Sequence, residues 1–176
     1  VGDVLDFWFR QIGARHWFSK SAAVDAEIRE RFLALYEQLV ASDAADVTDA
    51  RPLRAAVIVL DQFSRNMFRD SPRAFAADPL ARRLARQIIE HGFDSGLASE
   101  ERLFVYLPFE HSEDRDDQAL SCELIGRLGN DDWTQYALAH KAIIDRFGRF
   151  PHRNAVLGRT STADEIARLA EPMGSF

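Results

Sequence analysis

The chain has 176 residues, 47% hydrophobic and 28% charged, a composition that excludes a disordered polypeptide and suits one globular domain over residues 1–176. Its formal net charge of −6 excludes a broadly basic surface, so we expect no nucleic acid as a partner. The single cysteine, Cys122, excludes an internal disulfide and a cysteine-based zinc site. The longest apolar run, Ala55 to Leu60, is too short to span a bilayer, and no signal peptide is recognisable. We therefore expect no membrane partner and a cytoplasmic location.

Helical periodicity runs through the whole sequence, and no segment alternates with the two-residue period of a strand. In chain order, the helix-start signals are Asp3, Ser21, Pro52, Asp78-Pro79, Ser99, Ser112 or Asp114, Asp131 or Asp132, Pro151, and the capping box of Thr162 with Glu165. The stop signals are Gly13, Gly92, Gly129, Gly148, Gly158 and the break at Asp70-Ser71-Pro72, and Pro108 is expected to kink or end its helix. The pattern predicts eight or nine helices with short loops, an all-α fold of antiparallel helix pairs.

The third predicted helix ends in polar residues although the rest of it is fit for burial. These residues are Asp61, Gln62, Arg65 and Asn66. A buried polar group needs a hydrogen-bond partner, so the four either bond to neighbouring helices or form the floor of a polar groove.

The stretch from His140 to Asn154 combines histidines and arginines with apolar residues. His140 lies on the apolar stripe of its helix, which indicates either a packed core histidine or an acid-base or ligand-binding group. The basic side chains from Lys141 to Arg159 either pair with the acidic loop between Glu110 and Asp117 or form an anion site. The anion site would consist of Arg149, His152, Arg153 and Asn154 at the start of a short helix.

Several motifs resemble a bacterial family of proteins of unknown function, domain of unknown function 924. They are Val4 to Phe9, Leu60 to Asn66, Glu101-Arg102, Leu107-Pro108, His111 to Asp114, His140 to Asn154, and Leu157 to Arg159. The resemblance spans nearly the whole chain and implies a tetratricopeptide-like α-α superhelix, with no established activity to carry over. The family's motif positions fall on Asp61, Gln62, Arg65, Asn66, His111, Ser112, Glu113, His140, Arg146, Gly148, Arg149, Pro151, His152, Arg153 and Asn154. The sequence departs from the family at Ser64, where proline is expected, and at Glu110, where a methionine-like residue is expected.

We predict a binding module whose groove takes a small anionic ligand or a peptide carboxylate. The predicted ligand-binding residues are Asp61, Gln62, Arg65, Asn66, His111, His140, Arg146, Arg149, His152, Arg153 and Asn154. One alternative is a hydrolytic or acid-base enzyme that uses His111, Glu113 and His140. Another is an interaction scaffold, which an exposed patch of the aromatic anchors Phe7, Trp8, Phe9, Trp17 and Phe18 would support. We predict no metal and no cofactor, because the histidines and Glu113 match no dedicated ligand spacing. The sequence leaves the oligomeric state open.

Overall fold

A computed structural model gives the structure of residues 2–171, which form helices and turns and contain no strand. The all-α prediction is therefore confirmed. The described residues form eight helices: α1 (an α-helix over Gly2–Asp6 that continues as a π-helix over Phe7–Ile12), α2 (Ala22–Ala41), α3 (α-helical over Ala50–Ile58, π-helical over Val59–Phe63 and α-helical over Ser64–Met67), α4 (Asp78–Glu90), α5 (Ser99–Glu110), α6 (Arg115–Gly126), α7 (Asp131–Phe147) and α8 (Ala163–Leu169). Two 3-10 turns cover Pro72–Ala74 and Pro151–Arg153. Within this part of the chain, no helix has the length and apolar character needed to cross a membrane.

The described residues divide into two compact units. Unit 1 comprises residues 2–69 and 73–108, and unit 2 comprises residues 70–72 and 109–171. The prediction of one domain over residues 1–176 stays a prediction.

The core of unit 1 is built from aromatic rings on α1, α2 and α3. Phe63, in the π-helical part of α3, lies 5.9 Å from Phe7 and 5.5 Å from Trp8 between ring centroids. Phe7 also contacts Phe32 of α2 at 5.2 Å. The two π-helical segments therefore meet through large buried rings, whose burial contributes much of the hydrophobic stabilisation of this unit.

The core of unit 2 lies where α7 meets the residues that follow it. α6 and α7 pack together as a helix pair joined by residues 127–130. Ile143 and Ile144 of α7 form a cluster with Phe150, and Phe147 packs against it. α7 ends at Gly148, whose φ of 70° lies in the left-handed region that glycine adopts without strain. The chain then turns back, and the turn places Phe150 against the helix it has just left.

Several predicted helix caps are confirmed. The Ser21 side chain accepts a hydrogen bond from the backbone N–H of Val24, and Asp114 accepts from the N–H groups that follow it. Thr162 and Glu165 form the predicted capping box.

Other predicted boundaries are wrong. Asn130, rather than Asp131 or Asp132, caps α7. α1 begins at Gly2, before its predicted cap Asp3. α4 and α5 begin at their predicted caps, Asp78 and Ser99, so these three residues lie inside their helices. α6 ends at Gly126 rather than Gly129.

At two prolines the structure differs from the prediction. Pro108 does not end α5, which continues through it to Glu110, and the predicted kink stays a prediction. A proline removes one helical hydrogen bond, and only two residues of this helix follow it. Pro151 opens a three-residue 3-10 turn rather than a short helix.

Candidate functional site

The predicted site residues are divided between the two units. Asp61, Gln62, Arg65 and Asn66 belong to unit 1. The remaining predicted residues, from His111 onward, belong to unit 2.

In unit 1, the polar end of α3 is tied into a network of hydrogen bonds. Asp61 is completely buried, accepts a hydrogen bond from Gln62 at 2.6 Å, and lies 3.3 Å from the Arg65 guanidinium. Arg65 donates to both carboxylate oxygens of Asp78 at 2.9 and 3.0 Å. Burial alone would lower the pKa of Arg65, but the two carboxylates raise it above its ordinary value. The guanidinium therefore stays charged between Asp61 and Asp78.

The second half of this network joins α3 to α2. Asn66 donates to Asp25 at 2.7 Å, and Arg69 donates to the same carboxylate at 2.8 Å. Arg65 and Asn66 thus bond to neighbouring helices, whereas Gln62 bonds to Asp61 within α3.

Ser64 also has a defined role at the position where the family pattern suggests proline. Its hydroxyl is buried and lies 3.1 Å from the backbone carbonyls of both Asp61 and Ala74. The hydroxyl thereby links α3 to the 3-10 turn that follows it, a contact that a proline side chain could not make.

In unit 2, two arginine–glutamate pairs fasten the chain after α7. Arg159 donates to both oxygens of Glu113 at 2.7 and 2.9 Å, and the N–H of Phe150 donates to the same carboxylate at 2.8 Å. Burial raises the pKa of Glu113, but the bonds from Arg159 and Phe150 outweigh it and lower the pKa below its ordinary value. The predicted ion pairing between the acidic and basic loops is present in this contact.

The second pair joins the turn after α7 to α8. Arg149 donates to both oxygens of Glu165 at 2.7 and 2.9 Å, and to the carbonyl of Thr160 at 2.9 Å. The bonds from Arg149 and from the N–H of Thr162 hold the pKa of Glu165 down to about 2. The Arg149 side chain therefore binds residues of the protein itself.

His140 is buried on the inner side of α7. Its Nδ1 lies 2.9 Å from the carbonyl oxygen of Tyr136 and 3.2 Å from a carboxylate oxygen of Glu110. Since a carbonyl only accepts, we assign the proton of the neutral ring to Nδ1. Burial lowers the pKa of His140 to about 3, so the imidazole is neutral at physiological pH.

Two further histidines and an arginine surround His140. The His111 ring lies 6.3 Å from the His140 ring, and Phe150 lies 5.6 Å from both His140 and His152. Arg153 is buried, donates to the carbonyl of His111 at 3.0 Å, and places its guanidinium 4.5 Å from the centre of the Phe150 ring. His111 and His152 are both half-buried. We call His111, His140, His152 and Arg153 the histidine cluster.

The other predicted residues of unit 2 lie outside this cluster. The Arg146 guanidinium lies over the Phe147 ring at 4.7 Å. Asn154 donates to Ser161 at 3.0 Å and accepts from Arg159 at 2.9 Å. Because Pro151–Arg153 is only a 3-10 turn, the helix dipole invoked for an anion site is absent. Within residues 2–171, no three His, Cys, Asp or Glu side chains are grouped so that they could hold a metal ion.

Comparison with known proteins places the chain in a family. A family model described as bacterial protein of unknown function (DUF924) matches residues 4–173. The chain belongs to this family. Its structure is similar to that of ATU0120 from Agrobacterium tumefaciens, a protein of unknown function, with a TM-score of 0.92 and 38% identity over 97% of each chain. No curated protein matched the chain.

Glu110 is the residue of this DUF924 protein that the predicted site omitted. It is buried and is the carboxylate that contacts His140, whereas Glu113 binds Arg159. Glu110 follows an uninterrupted run of residues without charge, Leu103 to Phe109, and every residue of that run is buried. This run was the available signal that the end of α5 is buried.

Proposed function

We propose that this DUF924 protein is a binding module whose histidine cluster takes a small anionic ligand or the carboxylate of a peptide. The observation that carries the proposal is a group of basic side chains around one buried ring. The Phe150 ring contacts the imidazoles of His140 and His152 and the guanidinium of Arg153, and the His111 ring lies 6.3 Å from the His140 ring. Anions are recognised by such groups because each offers N–H donors and the guanidinium adds a permanent positive charge.

Each member of the cluster has a different part in this proposal. Arg153 supplies charge at every physiological pH. His111 and His152 are half-buried and offer N–H donors at the surface of the cluster. His140 is neutral and buried, so it orients the surrounding groups rather than adding charge.

A more specific proposal rests on the family resemblance. In it, the chain forms a tetratricopeptide-like superhelix, and this superhelix forms a binding groove. In that proposal Asp61, Gln62, Arg65 and Asn66 line part of the groove. The bonds of Arg65 to Asp78 and of Asn66 to Asp25 favour a structural contribution of these two residues within unit 1.

A thermal-shift experiment tests the anion site. The wild-type protein is heated with inorganic phosphate, dicarboxylates, and short peptides that carry either a free or an amidated C-terminus. A ligand present at about a hundred times its Kd adds about 2.7 kcal/mol of stability, which raises Tm by a few degrees. We expect a shift with the free carboxylate or phosphate, and none with the amidated peptide.

The matched variants are His152→Gln and His16→Gln. His152 belongs to the cluster, whereas His16 is exposed in unit 1. We expect His152→Gln to remove the ligand-dependent shift and His16→Gln to retain it. Equal shifts in the two variants, or no shift with any anion in the wild type, would contradict the proposal.

The contact between His140 and Glu110 favours one alternative, an acid-base enzyme. A carboxylate 3.2 Å from an imidazole is the arrangement that orients a general base. In this alternative His111 and Glu113 assist His140, and Glu110 is added as the orienting group. Turnover of phosphate and carboxylate esters that is lost in His140→Gln and Glu110→Gln, while both variants still bind the anion, would favour the enzyme over the binding module.

A further inference from the structure

The segment between α1 and α2 combines basic and aromatic residues in a way that the anion site does not use. From Phe7 to Lys20 the sequence contains Arg10, Arg15, Lys20 and His16 but no aspartate or glutamate, although the whole chain has a net charge of −6. Arg15, His16 and Lys20 are exposed. Arg15 and Lys20 are therefore two exposed cations on a molecule that is negative overall, and Glu100 and Glu101 lie within one turn of Phe104 on α5.

The aromatic side chains of the segment are fixed on a single ring of α5. The buried ring of Phe104 is contacted by Trp17 at 4.8 Å and by Phe18 at 6.1 Å. Phe18 lies nearly parallel to Phe104, at 14° between ring planes, and is still 66% exposed. Trp17 is held in place because its indole N–H donates to the carbonyl of Trp8 at 3.0 Å. An exposed ring that is already ordered loses little conformational entropy when a partner binds it.

A shallow apolar notch adjoins these rings. Phe104 lines the notch, and so does Phe9, which contacts both Phe104 and Trp17. The other apolar walls are Leu5, Ile58 and Val105. The ion pair between Arg54 and Glu101, 2.9 Å apart, lies at the polar side of the notch. The space inside the notch is about that of one water molecule, so a bulky side chain of a partner would lie on the exposed Phe18 ring rather than inside the notch.

The cations beside the rings are available to a partner. Arg10 is 3.3 Å from Asp6, whereas the side chains of Arg15 and Lys20 make no hydrogen bond or ion pair with any described residue of the chain. The charge that would complement them is negative. We call Phe9, Trp17, Phe18, Arg15 and Lys20 the basic aromatic surface.

We propose that the basic aromatic surface docks an acidic peptide segment of a partner protein, with one bulky apolar side chain of the segment packed on the exposed ring of Phe18. The side chains of aspartate and glutamate on either side of that anchor pair with Arg15 and Lys20. A bilayer is disfavoured as the partner because the Phe18 ring lies flat on Phe104 instead of projecting outward, as insertion among lipids requires.

Binding of synthetic peptides to the full chain, followed by fluorescence anisotropy, tests this inference. The probe peptides carry a single tryptophan flanked by aspartate and glutamate at varied spacing. Two control sets replace the tryptophan with alanine or the acids with lysine. We expect binding only of the acidic tryptophan peptides, weakened by added salt because charge pairs on a surface are screened.

The variants are Phe18→Ala and Arg15→Glu/Lys20→Glu. Both change exposed side chains, and circular dichroism of each variant checks whether the fold is retained. We expect Phe18→Ala to weaken binding at least about tenfold and the charge reversal to abolish it. Leu138→Ala, which truncates an exposed apolar residue of unit 2, is the matched control and is expected to bind like the wild type.

Three outcomes would overturn the inference. The first is that no acidic tryptophan peptide binds more tightly than the two control sets. The second is that Phe18→Ala binds as tightly as Leu138→Ala. The third is that the surface binds something else, so that Phe18→Ala abolishes binding to phosphatidylserine vesicles or self-association of the chain while no peptide binds.

Discussion

At the scale of a single residue, the buried imidazole of His140 makes stability depend on pH. The folded state lowers the pKa of this histidine to about 3 by burial, whereas the unfolded chain has the ordinary value of 6.5. Between these values the unfolded state binds one more proton than the folded state. The stabilisation is therefore complete above pH 6.5 and is lost as the pH falls below it, with a slope of up to about 1.4 kcal/mol per pH unit.

We expect His140→Gln to remove this slope from the free energy of unfolding. Urea unfolding at several values between about pH 5 and 7 measures it, a range in which histidine is the side chain that normally titrates. The control is His91→Gln, because His91 is exposed at the end of α4. The explanation fails if His140→Gln retains the slope of the wild type.

A second residue-scale prediction concerns Glu113. Glu113→Gln keeps the shape of the side chain but removes the charge that accepts two hydrogen bonds from Arg159 and one from the N–H of Phe150. The pair is partly exposed, so we expect the free energy of unfolding at neutral pH to fall by about 1 kcal/mol rather than by the full cost of a buried charge.

The matched control is Glu123→Gln, which breaks an exposed ion pair between α6 and Arg127, the residue that follows it. It is expected to cost less than about 0.5 kcal/mol, as exposed pairs four residues apart do. Because the folded pKa of Glu113 is lowered, the difference between Glu113→Gln and the wild type should shrink as the pH falls below about 4.5. Equal losses in the two variants at neutral pH would show that the bonds to Arg159 and Phe150 add nothing.

At the scale of an element, two glycines give opposite predictions for the same substitution. Gly148 ends α7 with φ 70°, where an alanine is strained, and Gly126 is the last residue of α6 with ordinary helical geometry. A Cβ at either position would have no heavy atom within 4 Å, so only backbone conformation differs. We expect Gly148→Ala to destabilise by about 1 kcal/mol and Gly126→Ala to stabilise by about 0.5 to 1 kcal/mol.

Thermal or urea unfolding of the two variants beside the wild type measures the contrast. Destabilisation by both substitutions would mean that the local backbone is not what distinguishes the two positions.

Most helices were predictable because burial leaves a periodic trace in the sequence. The residues at which the helices begin and end were less predictable. At the start of α7 three consecutive residues could cap, and only the local geometry selects Asn130 over Asp131 and Asp132. Asp78 was predicted as a cap, but its carboxylate binds Arg65, which is a long-range contact without a sequence signal. The π-helical segments were not anticipated, since an apolar pattern does not distinguish them from ordinary helix.

The sequence predicted the residue types of the candidate site better than it predicted which side chains pair with each other. The sequence left open whether the basic residues from Lys141 to Arg159 pair with the acidic loop or form an anion site. Which carboxylate meets which base depends on how α5 ends beside α7, so that Glu110 contacts His140 and Glu113 contacts Arg159. The run of buried residues before Glu110 indicated that the end of α5 is buried, but the sequence could not specify the partner of Glu110.

At the scale of the whole molecule, the two units interleave in sequence, because residues 70–72 belong to unit 2 and both flanking stretches belong to unit 1. The prediction of a single domain implies that the chain unfolds in one cooperative step, as most single domains of similar size do. Trp8 and Trp17 report on unit 1, and Trp133 reports on unit 2.

Fluorine NMR of protein labelled with 5-fluorotryptophan follows all three sites in one sample without altering the fold by mutation. Trp133→Phe assigns the signal of unit 2. We expect the three native signals to disappear with the same urea midpoint. A midpoint for Trp133 that differs from the shared midpoint of Trp8 and Trp17 would show two independently folding domains instead.

The two arginine–glutamate forks of unit 2 have a consequence for the evolution of the family. Lysine reaches only one carboxylate oxygen, and a lone substitution leaves the partner's charge without its bidentate contact. Positions 113 and 159, which are 46 residues apart, should therefore be either kept together or replaced together among DUF924 relatives, as should positions 149 and 165, which are 16 apart. A relative that lacks one member of a pair should then also lack the other.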